Sequence, residues 1–313
     1  MKSPFRLGPF LRLTLLGLFG AAGSALHAEE PVGSPHVFKK IGDRELKLYV
    51  VNPPGWKMGD RRPAIVFFHG GGFTAGNAGQ FADQSAYLAS RGMVTINAEY
   101  RLLEKDGKVA PVICNHDAKS AIRWVKTHLT ELGIDPARLA AGGGSAGGHL
   151  AAFAGLVDGG DDPADNLKVN TKVAALVLFN PAIAVSATDD EDDEVTARLG
   201  RSPSAAEFRR FAPARFVSKH APPTLILSGE KDQIVPMAFL QKFQAQMQAA
   251  GVRCDTVFYA GQGHAFFHRS REGGKYYYET LLETDKFLTS LGWLQGPPTL
   301  EKPAAVPAKA AGL

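Results

Sequence analysis

A serine flanked by glycines is the first residue whose type and position could do chemistry. Ser145 stands between Gly143 and Gly147, in a segment that passes from small apolar residues into an Ala/Leu-rich helix former. Gly-x-Ser-x-Gly at a strand-to-helix turn is typical of a nucleophile elbow, because the serine backbone is strained and its neighbours must be small. Two other interpretations remain open: a Gly-x-Gly-x-x-Gly dinucleotide-binding turn over residues 142–147, and a helix with Ser145 as N-cap.

A second glycine-rich turn predicts donors for a developing negative charge. After the apolar strand predicted over Ala64–Phe68 comes the tetrapeptide His69-Gly70-Gly71-Gly72. Without side chains, Gly71 and Gly72 leave their backbone N–H groups uncovered, and the N–H of Ala146 would supply a third donor. The alternative is a glycine-rich turn that His69 anchors locally.

A carboxylate that could orient a base follows a later strand. Asp232 lies in the loop after the strand predicted over Thr224–Ser228, and Glu230 and Asp255 are weaker competitors. A lone aspartate before a helix is usually an N-cap or solvated, so Asp232 is favoured only because of its position.

The candidate base comes last in the chain. His264 follows the final predicted strand in the small-residue loop 261–265, where an imidazole could lie between Ser145 and Asp232. His268 competes with it, but its basic surroundings indicate a surface residue. The order serine, aspartate, histidine is the one expected of an α/β-hydrolase and differs from the orders of other serine hydrolases.

The elements that must position these residues alternate between apolar runs and helical patterns. Such alternation predicts an α/β fold with a mostly parallel central sheet and helices on both faces. The predicted strands are Leu46–Val51, Ala64–Phe68, Val94–Ala98, Arg138–Ala141, Ala174–Phe179, Thr224–Ser228 and Thr256–Tyr259. Besides the helix after Ser145, the predicted helices are Ile113–Leu132, Pro236–Ala250 and about Lys275–Leu291.

A long insertion between two of these strands interrupts the alternation. Residues 184–216 contain the acidic run 189–194 and a helical pattern over Ala205–Phe211. Long insertions in compact domains usually cover a site or move, so the sequence predicts a short cap-like insertion. Consecutive acids lack the spaced ligands and the glycine of a calcium loop, so we expect a solvated loop and no metal.

The first 28 residues have the pattern of a signal peptide. Three basic residues and an apolar stretch lead to small residues, which predicts cleavage after Ala28, with Ala25 as a competing site. We therefore expect an exported chain, periplasmic or secreted, without a membrane span after processing. It would hold a catalytic domain over residues 29–295 and a disordered Pro/Ala-rich tail over residues 296–313.

Composition argues against two classes of protein, nucleic-acid binders and disulfide scaffolds. Residues 1–28 hold three of the 35 basic residues and none of the 31 acidic ones, so 32 basic residues face 31 acidic ones in the remainder, a formal charge of about +1. No basic stripe with interleaved aromatics is visible. Cys114 and Cys254 are too few for a disulfide scaffold, and we expect two separate, partly buried thiols.

Taken together, these motifs resemble one family. The pairing of residues 69–72 with the elbow at 143–148 is similar to the hormone-sensitive-lipase-like branch of the α/β-hydrolases, which includes bacterial carboxylesterases and acetyl esterases. Further matches are Tyr100-Arg101-Leu102, Asp117-Ala118, Arg123-Trp124 and residues 133–138. The resemblance spans roughly residues 45–292. It implies ester hydrolysis without a metal or organic cofactor by Ser145, His264 and Asp232, with an oxyanion hole from Gly71, Gly72 and Ala146.

Two departures from the family's pattern indicate a small acyl pocket. Only residues 29–46 precede the first predicted strand, where lipase-like members commonly carry a helical cap, and Ala-Pro does not directly follow Tyr-Arg-Leu. The resemblance therefore implies a serine carboxylesterase for short acyl groups. Export favours small-molecule or glycan-linked esters as substrates, among them acetyl and feruloyl esters of glycans.

Other functions are compatible with the same residues. One is a peptidase or amidase with the same triad, although such enzymes often carry a large additional domain. Another is a non-catalytic hydrolase fold that binds ligands, although that would show the loss of a triad member. A nicotinamide enzyme would need an acidic residue about 20 positions beyond the glycines. Asp161 and Asp162 are near that spacing but fall in a Gly/Asp loop.

Overall fold

A sheet of eight strands forms the centre of the part of the chain that the computed structural model describes, residues 30–104, 111–183, 210 and 212–302. The strands are β1 (Ser34–Ile41), β2 (Arg44–Val51), β3 (Arg62–Phe68), β4 (Val94–Ala98), β5 (Ile134–Gly144), β6 (Ala175–Phe179), β7 (Thr224–Gly229) and β8 (Cys254–Tyr259). Their order is β1-β2-β4-β3-β5-β6-β7-β8. β2 pairs antiparallel with β1 and β4, and the remaining pairs are parallel, which confirms the predicted mostly parallel sheet.

Helices cover both faces of the sheet, as predicted. They are α1 (Ala82–Ser90), α2 (Val112–Thr127), α3 (Ala146–Leu156), α4 (Met237–Ala249) and α5 (Lys275–Ser290), with 3₁₀ turns at Ala78–Phe81, Pro213–Phe216 and Glu272–Gly274. Successive side chains of a strand point to opposite faces. Val66 of β3 therefore lies in a buried cluster with residues of α2, α3 and α4, whereas Phe67 lies in a second cluster with residues of α1 and α5.

The inner parallel strands are apolar along most of their length because both faces are covered. Every residue of β4 and of β6 is buried, and continuous apolar runs are typical of parallel strands in α/β folds. All seven strands predicted from such runs are present, with ends that differ from the prediction by at most four residues.

The sequence does not predict two elements, and one helix is shorter than predicted. β1 lies within residues 29–46, which were predicted to hold no strand; as an edge strand it is half-exposed on both faces and lacks alternation. α1 buries the polar side chains of Gln84 and Ser85, which obscures an apolar stripe. α2 ends at Thr127 rather than Leu132, because the following residues form turns closed by backbone hydrogen bonds.

A network of ion pairs joins β1, α2 and the loop after α3. The buried Asp117 carboxylate accepts from the Arg101 guanidinium at 2.7 and 2.8 Å and lies 2.9 Å from Lys39 Nζ. Asp162 of the loop pairs with Lys39 at 2.6 Å, and Asp161 pairs with a side chain of α2. Both loop aspartates are thus engaged in ion pairs within the fold. Neither serves as the acidic residue that a dinucleotide-binding turn would need about 20 positions after its glycines.

The two cysteines are separate thiols, as predicted. Cys114 lies in the first turn of α2 and Cys254 begins β8, and both are free and buried. Burial raises the pKa of each thiol to about 12, so both are un-ionised at neutral pH.

Several predicted features lie outside the described residues: the signal peptide, the acidic run 189–194, most of the helical pattern 205–211, and residues 303–313. Of the predicted tail, residues 296–302 are described. The Gly296 carbonyl accepts from an Arg91 side-chain N–H at 3.0 Å, and Leu300 packs against the second cluster. Among the helices that the structure describes, none has both the length and the apolar character needed to span a bilayer.

The parallel strands bring the predicted site residues to one edge of the sheet. His69 directly follows β3, and Ser145 directly follows β5. Asp232 and His264 lie in the loops that follow β7 and β8. The edge formed by the carboxyl ends of parallel strands is where open α/β sheets bind their ligands.

Candidate active site

Ser145 occupies the turn between β5 and α3 in a strained conformation. Its φ of 54° and ψ of −118° are rare for a residue with a side chain. The turn requires small neighbours: a Cβ on Gly143 would lie 2.5 Å from the Phe68 carbonyl oxygen, and one on Gly147 only 2.0 Å from it. The Ser145 side chain makes no capping hydrogen bond to α3. The geometry therefore fits the nucleophile elbow and not the N-cap interpretation.

Side chains from three loops form a continuous row of hydrogen bonds. Ser145 Oγ lies 2.9 Å from His264 Nε2, and His264 Nδ1 lies 2.8 Å from Asp232 Oδ2. Since a carboxylate only accepts, Nδ1 carries the proton and Nε2 presents its lone pair to the serine hydroxyl. The structure thus brings together the three residues that the sequence singled out.

The loop after β7 fixes the Asp232 carboxylate. The side chain has no exposed surface, and its Oδ1 accepts the backbone N–H groups of Ile234 and Val235 at 2.9 Å each. The competitors take no part, because Glu230 is exposed and Asp255 forms an ion pair at the start of β8. Asp232 is therefore the carboxylate that the fold directs at the histidine.

His268, the competing histidine, does not join the row. The prediction of a surface residue is wrong, because its ring is half-buried and stacks on Phe267 with centroids 4.7 Å apart. Burial, together with the charge of Arg271, lowers the pKa of His268 to about 4. At neutral pH it is therefore an uncharged packing residue.

The turn His69–Gly72, here called the donor turn, holds the Gly71 N–H in a fixed peptide plane. The Gly70 carbonyl lies in that plane and accepts from His69 Nδ1 at 2.7 Å. His69 is buried, its ring stacks on Tyr100 with centroids 4.2 Å apart, and burial lowers its pKa to about 4. The neutral His69 therefore anchors the glycine-rich turn, as the alternative interpretation of this segment predicts. The same hydrogen bond also orients the Gly71 N–H, a potential oxyanion donor.

The next peptide plane is fixed in the same way. The Gly71 carbonyl accepts from the N–H groups of Thr74 and Ala75 at 3.1 and 3.0 Å, which orients the Gly72 N–H in the same plane. Only glycine fits at Gly71, because its φ is 115° and a Cβ would lie 2.1 Å from the Ala75 carbonyl oxygen. Among the described residues, none accepts from the N–H of Gly71 or Gly72. Ala146 begins α3, so its N–H has no acceptor within the helix.

The sequence interpretation missed residues that support the site. Asn180, directly after β6, has a φ of 34°, and its Oδ1 accepts the N–H of Ala265 at 3.2 Å, next to His264. Asparagine is a residue type that tolerates positive φ, so an asparagine directly after a strand was the available signal. Tyr100 donates from Oη to the His69 carbonyl at 2.9 Å. Tyr100 belongs to the segment Tyr100-Arg101-Leu102 that resembles the family, but this resemblance does not by itself indicate that Tyr100 supports the donor turn.

Comparison with known families agrees with this geometry. The BD-FAE family model matches residues 51–247, and the Dienelactone hydrolase family model matches residues 211–295. The first match covers more than half of the chain. The chain belongs to the BD-FAE family. Together with the relatives below, this membership places it among the α/β-hydrolase esterases, as its motifs predict.

Similar proteins carry esterase names. The chain is 27% identical over 266 residues to "Probable carboxylic ester hydrolase LipM" and 29% identical over 239 residues to "Esterase LipQ", both of Mycobacterium tuberculosis. These matches cover 77% and 72% of this chain, which spans only 61% and 55% of the two relatives. The apo structure of Thermogutta terrifontis esterase 2 is 39% identical, with a TM-score of 0.78, and the match covers 86% of this chain and 98% of that one.

Proposed function

We propose that this chain is a serine carboxylesterase that hydrolyses short-chain acyl esters through an acyl-enzyme on Ser145. The observation that carries the proposal is the hydrogen-bonded row Ser145–His264–Asp232, at 2.9 and 2.8 Å, beside a turn whose Gly71 and Gly72 N–H groups find no acceptor in the part of the chain that the structure describes. A nucleophile, a base, an orienting acid and oxyanion donors are the parts that acyl transfer needs.

In the proposed mechanism, His264 Nε2 takes the proton of the Ser145 hydroxyl as the oxygen attacks the ester carbonyl carbon. The N–H groups of Gly71, Gly72 and Ala146 stabilise the resulting oxyanion, each critical donor contributing about 3–4 kcal/mol. His264 then returns the proton to the leaving alcohol, and the acyl group stays on Ser145. Water, deprotonated by the same histidine, releases the acid.

Small acyl groups are the proposed substrates. Thermogutta terrifontis esterase 2, at 39% identity, has structures described as propionate bound and butyrate bound. That similarity supports an acyl pocket for a few carbons, in agreement with the departures noted in the sequence. Within this class we propose acetyl or feruloyl esters of glycans, in keeping with the expected export of the chain.

A chain-length series of p-nitrophenyl esters, run beside acetylated xylan, tests the proposal. We expect kcat/KM to be greatest for acetyl to butyryl esters, and acetate to be released from the xylan. Ser145→Ala should abolish turnover and leave the fold intact. Preference for acyl chains of about eight carbons or more would contradict the short-acyl proposal, and an unimpaired Ser145→Ala would contradict the mechanism.

Export is a separate proposal that rests on the first 28 residues. We propose cleavage near Ala28 and a periplasmic or secreted mature chain. Mass spectrometry of the N-terminal peptide, from chain recovered outside the cytoplasm, should show a start at residue 29. A chain that keeps Met1 and stays with the cytoplasmic fraction would contradict this.

A further inference from the structure

The side chain of Gln80 reaches back to the donor turn from the 3₁₀ turn Ala78–Phe81. Its Oε1 accepts the Gly70 N–H at 2.7 Å. The carbonyl of the same peptide plane, that of His69, accepts from Tyr100 Oη at 2.9 Å. Side chains from outside the turn therefore hold this plane at both ends, directly before the first oxyanion donor.

Neighbouring residues fix the 3₁₀ turn that carries Gln80. On one side, Asn77 Oδ1 accepts the N–H of Gly79 at 2.9 Å and caps the turn. On the other side, the buried Phe81 ring stacks on Phe67 with centroids 4.7 Å apart. Gln80 thus connects a rigid part of the core to the glycine-rich donor turn.

The Gln80 amide and the proposed nucleophile lie beside the same glycine. A Cβ built on Gly70 would lie 3.4 Å from Gln80 Oε1 and 3.4 Å from Ser145 Cβ. Any movement of the Gly70 peptide plane changes the position of the donor turn relative to Ser145.

We propose that Gln80 is a positioning residue for ester hydrolysis, which sets the donor turn against Ser145 by accepting the Gly70 N–H. The inference rests on the proposed function. A misplaced donor stabilises the oxyanion less but hardly changes the binding of the ground-state ester, because the oxyanion forms only in the transition state. The effect of losing Gln80 therefore falls on kcat rather than on KM.

Two substitutions separate the acceptor from the rest of the side chain. Gln80→Met keeps the length without an acceptor, and kcat for p-nitrophenyl butyrate should fall on the order of 10- to 100-fold, with KM within about 2-fold. Gln80→Glu keeps an acceptor for the Gly70 N–H and should retain clearly more kcat than Gln80→Met. Gln241→Met is the matched control, since Gln241 is exposed on α4, and its kinetics should equal those of the wild type.

Each outcome decides for or against the role of Gln80. A wild-type kcat in Gln80→Met overturns it. Equal losses of kcat in Gln80→Met and Gln80→Glu, together with a raised KM, also overturn it, because that is the pattern of a residue that contacts the substrate itself. If Gln80→Met does not fold, a kcat loss above about 100-fold in Gln80→Glu overturns it, and a smaller loss supports it. In these cases an active wild type leaves the proposed function standing, whereas a wild type without esterase activity overturns both proposals.

Discussion

Acid should destabilise this protein through His149, which lies one helical turn after Ser145. The His149 side chain has no exposed surface, its Nε2 lies 3.1 Å from Asn115 Oδ1, and its ring stands edge-on to Phe73. Burial lowers the pKa of His149 to about 4, from an ordinary value of about 6.5. We predict that His149→Gln, which keeps a polar side chain but cannot titrate, reduces the loss of stability between pH 7.5 and pH 5.

The sign and size of this effect follow from proton linkage. Between pH 6.5 and pH 4 the unfolded chain binds a proton at His149 that the folded chain does not, so the free energy of unfolding falls as the pH falls. The slope approaches about 1.4 kcal/mol per pH unit. Integrated from pH 7.5 to pH 5, with a folded pKa of about 4, His149 alone removes about 2 kcal/mol.

Urea unfolding at pH 7.5, 6.5, 5.5 and 5.0 measures this difference. The wild type should lose about 2 kcal/mol more than His149→Gln between the extremes. His220→Gln, which removes an exposed imidazole, is the control and should follow the wild type at every pH. Equal losses in the wild type and His149→Gln would refute the argument that burial keeps this imidazole neutral.

Three further substitutions probe the site and its support. Asp232→Asn should keep the fold but lower kcat for p-nitrophenyl acetate about 10⁴-fold, because the imidazole tautomer would be wrong. Gly147→Ala should lower the thermal midpoint far more than Gly72→Ala. A Cβ at Gly147 would lie 2.0 Å from a backbone carbonyl oxygen, whereas a Cβ at Gly72 would meet nothing within 4 Å. Equal shifts of the midpoint would contradict this. Asp117→Asn removes the buried carboxylate that pairs with Arg101 and Lys39, both half-buried, and Lys39 keeps its second partner Asp162. It should cost about 3 kcal/mol in urea unfolding, the lower end for breaking a buried pair, whereas the exposed control Glu45→Gln should change nothing measurable.

The candidate site could be predicted from the sequence because each of its residues follows a strand. Ser145 and the donor turn stand in glycine-rich segments, where missing side chains are themselves a signal of close backbone approach. Asp232 carries no such pattern: it was favoured for its place in the chain between the serine and the histidine, which Glu230 shares, and the hydrogen bond to His264 is what separates the two.

The sequence could not predict contacts between distant elements. Gln80 precedes a core phenylalanine and has no motif, and its role depends on a hydrogen bond back to Gly70. The burial of His268 depends on its stacking on Phe267, which its basic neighbours in the sequence conceal. Edge strand β1 likewise takes its place from pairing with β2, since its own residues show no alternation.

Labelling with paraoxon tests the central claim most directly, that Ser145 is the nucleophile. Thermogutta terrifontis esterase 2 has a structure described as phosphorylated by paraoxon. Peptide mass spectrometry of the inhibited chain should find a single diethylphosphoryl group, on Ser145, and the loss of esterase activity should match the extent of labelling. Two results would contradict the account. In one, paraoxon inhibits the esterase activity but the diethylphosphoryl group is found on another residue; in the other, the activity is lost while Ser145 carries no label.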